Sequence, residues 1–227
     1  AEFEVARLYA DTALRQDLFT MRPALDFGAV KGAIEHTARN LSSGIQTRLQ
    51  RLGIKILKGA GQFIDPGTVV VGDDIIRAQE IVVATGSIPR VFPGITVDGR
   101  QVLTSDEIVH LASLPKSLLI IGAGVIGCEF ASIFNELGSK VALVDTQARI
   151  LSSEDKDLSQ FLAREFLQRG IEVIPSCRFE RLEVRENSVT TILADGQQIQ
   201  SESVLLAVGR NPSTSELNLD AAGVEVD

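Results

Sequence analysis

The stretch from Ser117 to Asp145, SLLIIGAGVIGCEFASIFNELGSKVALVD, constrains the fold of this chain more than any other. An apolar run, Leu118 to Ile121, leads directly into Gly122-Ala-Gly124-Val125-Ile126-Gly127. Helical spacing follows, with Phe130, Ile133, Phe134 and Leu137 on one face, and then a second apolar run, Val141 to Val144. The order is strand, tight turn, helix, strand. Each glycine has its own task in such a unit. Gly122 makes the turn, Gly124 lets backbone approach a pyrophosphate, and Gly127 lets the helix pack closely on the strand. The helix start at Val125 and Ile126 offers free N–H groups and the positive end of the dipole to phosphates. Asp145 stands 23 residues after Gly122, at the end of the second strand. A carboxylate there accepts hydrogen bonds from adenosine ribose hydroxyls and repels a 2′-phosphate. A glycine turn of this kind can be merely structural; the flanking strands, the helix and the acid together favour dinucleotide binding.

Downstream, a helix is expected from about Asp155 to Arg169, with Leu158, Phe161, Leu162, Phe166 and Leu167 inward and Gly170 as its stop. The acidic group Glu154, Asp155 and Asp157 suits that helix's first turn, so no metal site is expected there. Ile171 to Ile174 completes βαβαβ, a parallel, Rossmann-like arrangement. The pattern then changes to alternation. Leu182–Val184, Val189–Leu193 and Ile199, separated by Glu186-Asn187 and Asp195-Gly196, read as an antiparallel meander. The run from Ser203 to Val208 returns to a buried strand and ends in Gly209-Arg210-Asn211-Pro212.

Upstream, Phe27, Val30, Ile34, Leu41, Ile45, Leu49 and Leu52 recur at helical steps, with Asp26 as N-cap and Gly53 as stop. His36 falls off that stripe, and His110 has no evident partner. A strand is expected at 54–57, then hairpin chemistry in the turns at 65–68 and 72–74 around Val69–Val71. A further strand is expected at 80–84, leaving through Thr85, Gly86 and Ser87. Ser105 is placed as the N-cap of a short helix reaching Leu111. Residues 1–25 carry apolar positions with no strand or turn before them, and Pro23 marks a connector.

The length of 227 residues allows one large or two ordinary domains. A net charge of −8 argues against nucleic acid or an anionic membrane as the main partner, though not against a nucleotide held locally by N–H groups. No apolar run reaches the roughly 20 residues that span a bilayer, and AEFEVARLYAD is no signal peptide, so the expected location is cytoplasmic. Cys128 and Cys177 have no metal-ligand spacing and are expected as buried thiols rather than a redox pair.

Taken together, the segments IVVATGSIPRVFPGI, TSDEIVHLASLP, LLIIGAGVIGCEFASIFNELGSKVALVD and LLAVGRNPSTSELNLDAAGVEVD resemble one family. It is the FAD-dependent pyridine nucleotide-disulfide oxidoreductases, in particular the dihydrolipoamide dehydrogenase branch and the similar soluble transhydrogenases. The resemblance implies an NAD(P)-binding domain at 114–227, including the start of the return to the FAD domain, and an incomplete FAD-binding domain of the same general α/β type at 1–113. It also implies an internal piece of a homodimeric parent. The family's first glycine-rich motif, its CxxxxC disulfide with a nearby lysine, and its C-terminal His-Glu pair have no counterpart here.

Residue by residue, the resemblance makes Gly122, Gly124 and Gly127 the pyrophosphate turn and Asp145 the acid that favours NAD over NADP, with Arg149 close enough to meet a 2′-phosphate. Glu129 matches a carboxylate that pairs, in the family, with a lysine beside the flavin. Thr85 and Gly86 match a segment near the flavin, and Gly209 and Arg210 match the turn over the nicotinamide. The functional expectation is an oxidoreductase using NAD(H) and FAD, acting on a disulfide such as lipoamide, with this chain alone inactive. A soluble transhydrogenase and a non-catalytic nucleotide sensor remain the alternatives.

Overall fold

The computed structural model describes residues 26–226. The expectations for the first 25 residues therefore lie outside the described residues. In chain order the elements are helix α1 (Phe27–Arg51) and strands β1 (Gly61–Asp65), β2 (Thr68–Val71), β3 (Asp74–Arg77), β4 (Ser87–Pro89) and β5 (Val102–Thr104). There follow β6 (Ser117–Ile121), α2 (Val125–Leu137), β7 (Lys140–Val144), α3 (Lys156–Gln168) and β8 (Glu172–Ile174). Strands β9 (Phe179–Arg185), β10 (Ser188–Leu193), β11 (Gln198–Ser201), β12 (Ser203–Leu206) and β13 (Arg210–Pro212) come next, and a 3-10 turn, Leu219–Ala222, follows them.

The chain divides into two compact units. One comprises Val91–Gly209 with the start of α1 up to Gly32; the other comprises Ala33–Arg90 and the residues from Arg210 on. The first is built on a five-stranded parallel sheet of order β5-β12-β6-β7-β8. Its central strand β6 shows why the opening apolar run had no alternation: both faces are covered. Leu118 and Ile120 join a core with Cys128, Ala131 and Phe134 of α2 and Phe166 of α3. Leu119 and Ile121 face the other way, into a core with Val189 and Leu193 of the antiparallel sheet β11-β10-β9. Helices thus cover one face and the meander the other. Each fully buried leucine or isoleucine contributes about 2 kcal/mol, which fixes β6 as the spine.

Both helices of this unit are rotated from the expected faces. The inward residues of α2 are Gly127, Cys128, Ala131 and Phe134, and Ile133 is exposed. A β-carbon on Gly127 would overlap the Gly122 carbonyl oxygen, so the small face of the helix is the one that approaches β6. In α3 the inward residues centre on Phe166 and Ser159, with Leu162 and Ala163 beside them. Leu158 and Leu167 lie about 80–100° to either side of Phe166 and fall at the flanks, Leu167 being 78% exposed. Asp155 caps this helix by accepting the Asp157 N–H at 3.1 Å.

The second unit holds the antiparallel sheet β1-β2-β3 and the pair β13-β4. The Phe63 N–H donates to the Leu217 carbonyl, and the Asn218 amide to the Phe63 carbonyl, joining β1 to the C-terminal segment. Helix α1 begins as expected, with the Asp26 carboxylate accepting the Ala29 N–H at 3.0 Å, and ends at Gly53 with φ 70°. Its apolar residues Ile34, Leu41 and Ile45 are exposed.

Three expected elements are absent. Residues 54–57 and 80–84 form no strand. Among the described residues no strand pairs with either segment, and Val82 is 87% exposed. An apolar run becomes a strand only where a neighbour supplies the ladder. Ser105 does not cap a helix, because Glu107 reaches back to accept the Thr104 N–H at 2.9 Å together with its hydroxyl. Only a single 3-10 turn, Ile108–His110, follows.

Candidate nucleotide-binding site

The C-terminal ends of β6, β7, β8 and β12 converge on one cleft of about 1030 Å³. Strand β6 is followed by α2 and β7 on one side and has β12 on the other, so the chain changes direction across the sheet at this strand. Open parallel sheets bind ligands at such a switch point, outside the carboxyl ends of the strands. Backbone bonds close the rim. The Gly122 N–H donates to the Val144 carbonyl at 2.8 Å, Asp145 N–H to Ile174 at 3.1 Å, and Ala207 N–H to Ile121 at 2.8 Å.

The three glycines meet different surroundings. Gly122 has φ 106°, and a β-carbon on it would overlap the Ala207 carbonyl, so both the turn and the neighbouring strand require glycine. Gly127 is required by its approach to Gly122. Gly124, the N-cap of α2, has φ −74°, and among the described residues no atom beyond its chain neighbours lies within 4 Å of where a β-carbon would stand. It faces the cleft, as do Val125 and Ile126.

Asp145 is half-buried on the cleft wall, and both of its carboxylate oxygens hold backbone. One accepts the Ala123 N–H at 2.6 Å and the other the Gln147 N–H at 2.7 Å. The acid therefore braces the glycine turn directly, with one lone pair per oxygen left for a ligand. Gly209, φ 103°, lines the opposite wall. The structure thus gathers Gly122, Gly124, Val125, Ile126, Asp145 and Gly209 around one cleft, with Gly127 beneath the turn.

Other expected residues lie elsewhere. Glu129 is exposed and outside the cleft lining. Thr85 and Gly86 are exposed residues of the second unit, where the Gly86 carbonyl accepts the Ser213 N–H at 3.0 Å. In the same unit the Arg210 guanidinium donates to the Ser87 hydroxyl at 2.8 Å and to its carbonyl at 2.6 Å. Arg149 is not poised for a 2′-phosphate: its guanidinium donates to the carbonyls of Leu151, Ser152 and Glu154 at 2.8–3.3 Å.

Both cysteines are free and buried, as expected. Burial, with the charges of Asp145 and Glu129, pushes the Cys128 thiol up to about 12, so it stays protonated at neutral pH. Its Sγ donates to the Ala123 carbonyl at 3.4 Å. Burial and then Asp195 push the Cys177 thiol up as well.

Several cleft residues escaped the sequence reading. Phe92 and Phe179 stack on the wall with ring centroids 5.1 Å apart. Gln147 and Arg178 stand beside Asp145. Only Gln147 left a local signal, since an aspartate accepting the N–H two residues on is ordinary turn chemistry. No helix among the described residues is long and apolar enough to cross a membrane, and no metal-binding cluster occurs among them.

Comparison with known proteins agrees with this architecture. Dihydrolipoyl dehydrogenase from Chlamydia pneumoniae is 36% identical over 203 residues, 88% of this chain and 44% of that protein. The flavoprotein disulfide reductase RclA from Escherichia coli superposes with a TM-score of 0.81 at 29% identity, over 90% of this chain and 47% of that one. LpdA from Mycobacterium tuberculosis gives 0.85 at 26% identity, over 99% and 51%. The chain spans about half the length of these relatives. The family model for pyridine nucleotide-disulphide oxidoreductases matches residues 5–227, and the chain belongs to that family.

Proposed function

We propose that residues 114–227 form the nicotinamide-dinucleotide-binding domain of a flavin-dependent oxidoreductase, and that residues 1–113 contribute to its FAD-binding domain. The parent enzyme couples NAD(H), through the two-electron carrier FAD, to a disulfide/dithiol couple such as lipoamide, reducing the disulfide or oxidising the dithiol. The observation that carries this reading is the open space over Gly124. The fold itself demands glycine at 122 and 127, but no protein atom demands it at 124. A pyrophosphate lying on the turn does, because a side chain there would project into its place.

The residues divide the work by position. The first N–H groups of α2 receive the pyrophosphate, aided by the helix dipole. Asp145, held rigid by two N–H groups, accepts the ribose hydroxyls through its remaining lone pairs. Gly209 leaves the nicotinamide end of the cleft unobstructed. Thr85 and Gly86 approach the flavin, and Glu129 supports the flavin side as a carboxylate for a cation outside this chain. FAD, when bound, supplies the two-electron carrier. Asp145 favours NAD through repulsion of a 2′-phosphate, and Arg149 is occupied by carbonyls.

Titrating NADH into the 227-residue chain by calorimetry tests the proposal. Saturable heat is expected below millimolar ligand; no heat at millimolar NADH overturns it.

A further inference from the structure

The cleft that Asp145 lines is also lined by a cation, Arg178. The loop at 176–178 is laced to the loop at 145–147 by two backbone bonds. The Ser176 N–H donates to the Gln147 carbonyl and the Cys177 N–H to the Asp145 carbonyl, each at 2.9 Å. Ser176 takes a left-handed φ of 53° to allow this, a conformation that costs a non-glycine residue energy. On the far side, the Arg178 carbonyl accepts the Ala194 N–H at 2.9 Å, and Phe179 is stacked on Phe92. The backbone of Arg178 is therefore pinned before, at and after the residue. Its side chain is exposed and lines the cleft.

The other arginines of this region already have acceptors. Arg149 holds three carbonyls. Arg181 lies between Glu180 at 3.7 Å and Glu183 at 3.3 Å. Among the described residues, the Arg178 guanidinium has no such acceptor. A planar fork with five donors, fixed at its root and facing a cleft, is suited to a phosphate. Asp145 is also a weaker repellent than its charge suggests, because both oxygens already accept an N–H.

We propose that Arg178 reads the ribose 2′ position of the bound dinucleotide, receiving a 2′-phosphate, so that the cleft takes NADP(H) as a second ligand beside NAD(H). This rests on the nucleotide-binding reading above and changes its selectivity: Asp145 sets a preference, and Arg178 keeps that preference shallow. Arg178 lies one loop away from the acid, on a different strand connection.

The experiment is calorimetric titration of the 227-residue chain and its Arg178→Gln and Arg178→Lys variants with NAD+ and NADP+, at low and high salt. Wild type is expected to bind NADP+ within about tenfold of NAD+. Arg178→Gln is expected to weaken NADP+ about tenfold or more while leaving NAD+ within about twofold, and Arg178→Lys to restore part of the loss. Added salt should weaken NADP+ more than NAD+ in wild type and equally in Arg178→Gln. If NAD+ binds and NADP+ does not at millimolar concentration, this inference falls and the nucleotide-binding reading stands. Equal losses for both ligands in Arg178→Gln also overturn it, since the side chain then serves the adenine or the fold rather than the 2′ position. If neither ligand binds wild type, both readings fall.

Discussion

The carboxylate of Asp145 accepts the Ala123 N–H at 2.6 Å, tying the end of β7 to the middle of the glycine turn after β6. The same side chain holds the Gln147 N–H, so one residue shapes both loops that flank the cleft. Removing it should therefore damage the empty protein as well as the bound one. Asp145→Ala is expected to destabilise the ligand-free chain by about 1–3 kcal/mol, the cost of stripping acceptors from partly buried N–H groups, and to abolish measurable NADH binding. Thermal unfolding without nucleotide checks the first part. An unchanged midpoint would show that the carboxylate acts only on the ligand.

Gly124 and Gly127 should separate binding from folding. Gly127→Ala forces a methyl group against the Gly122 carbonyl oxygen, and α2 must lift from β6; a loss of about 1–3 kcal/mol is expected. Gly124→Ala meets open space at an unstrained φ of −74°, so its unfolding midpoint should stay near wild type while NADH affinity drops at least about tenfold. Equal behaviour of the two variants in denaturant titration would contradict this assignment of roles.

Much of the architecture was legible because its signals are local. The run Leu118–Ile121, the three glycines, the helical spacing and Asp145 lie within 29 consecutive residues, and each acts on its neighbours. The face of α2 was not legible. Phe130, Ile133 and Phe134 form the more hydrophobic stripe; Phe134 does face the core, but the close approach at Gly127 turns Cys128 and Ala131 inward beside it and leaves Ile133 exposed. Residues 80–84 show the same limit: apolar content marks a strand, but pairing depends on a neighbour that no local pattern reports. Phe179 meets Phe92 across 87 positions, and Arg178 comes to the cleft of Asp145 from a loop after the next strand, where the Cys177 N–H bonds the Asp145 carbonyl, so neither had a sequence signature.

Cys128 makes the alkaline limb of stability predictable in sign. Its thiol is pushed up from an ordinary 9.0 to about 12 in the fold, so the folded state holds the proton more tightly than the unfolded chain does. Stability from this group is fully present below pH 9 and is lost as pH rises toward 12. Cys128→Ala removes that dependence at the cost of a small cavity. Its unfolding midpoint should fall less steeply than wild type between those two values. At pH 8 the native thiol should also react with iodoacetamide far more slowly than a free cysteine. Rapid labelling of the folded chain would contradict the burial.

Asp98 governs the opposite limb. Its carboxylate lies in the turn before β5, where a single oxygen accepts the N–H groups of Arg100, Gln101 and Val102 at 2.7–2.9 Å. Partial burial alone would raise its pKa, but these backbone bonds outweigh it and hold the carboxyl below the usual range. A depressed folded value means that the stabilisation is present above the unfolded pKa and fades as pH falls through the folded one. Among the described residues, strand β5 forms one edge of the parallel sheet and pairs only with β12, so its entry depends on this turn more than an interior strand would. Asp98→Ala leaves three N–H groups without their acceptor and should cost about 1 kcal/mol at neutral pH, since water replaces part of the loss at an exposed turn. The gap between wild type and variant should close as pH drops below 3.8, and it should change little between pH 6 and 8. Urea titrations at those pH values measure it directly. A gap that stays constant into acid would mean that the aspartate acts through the shape of the turn and not through its charge.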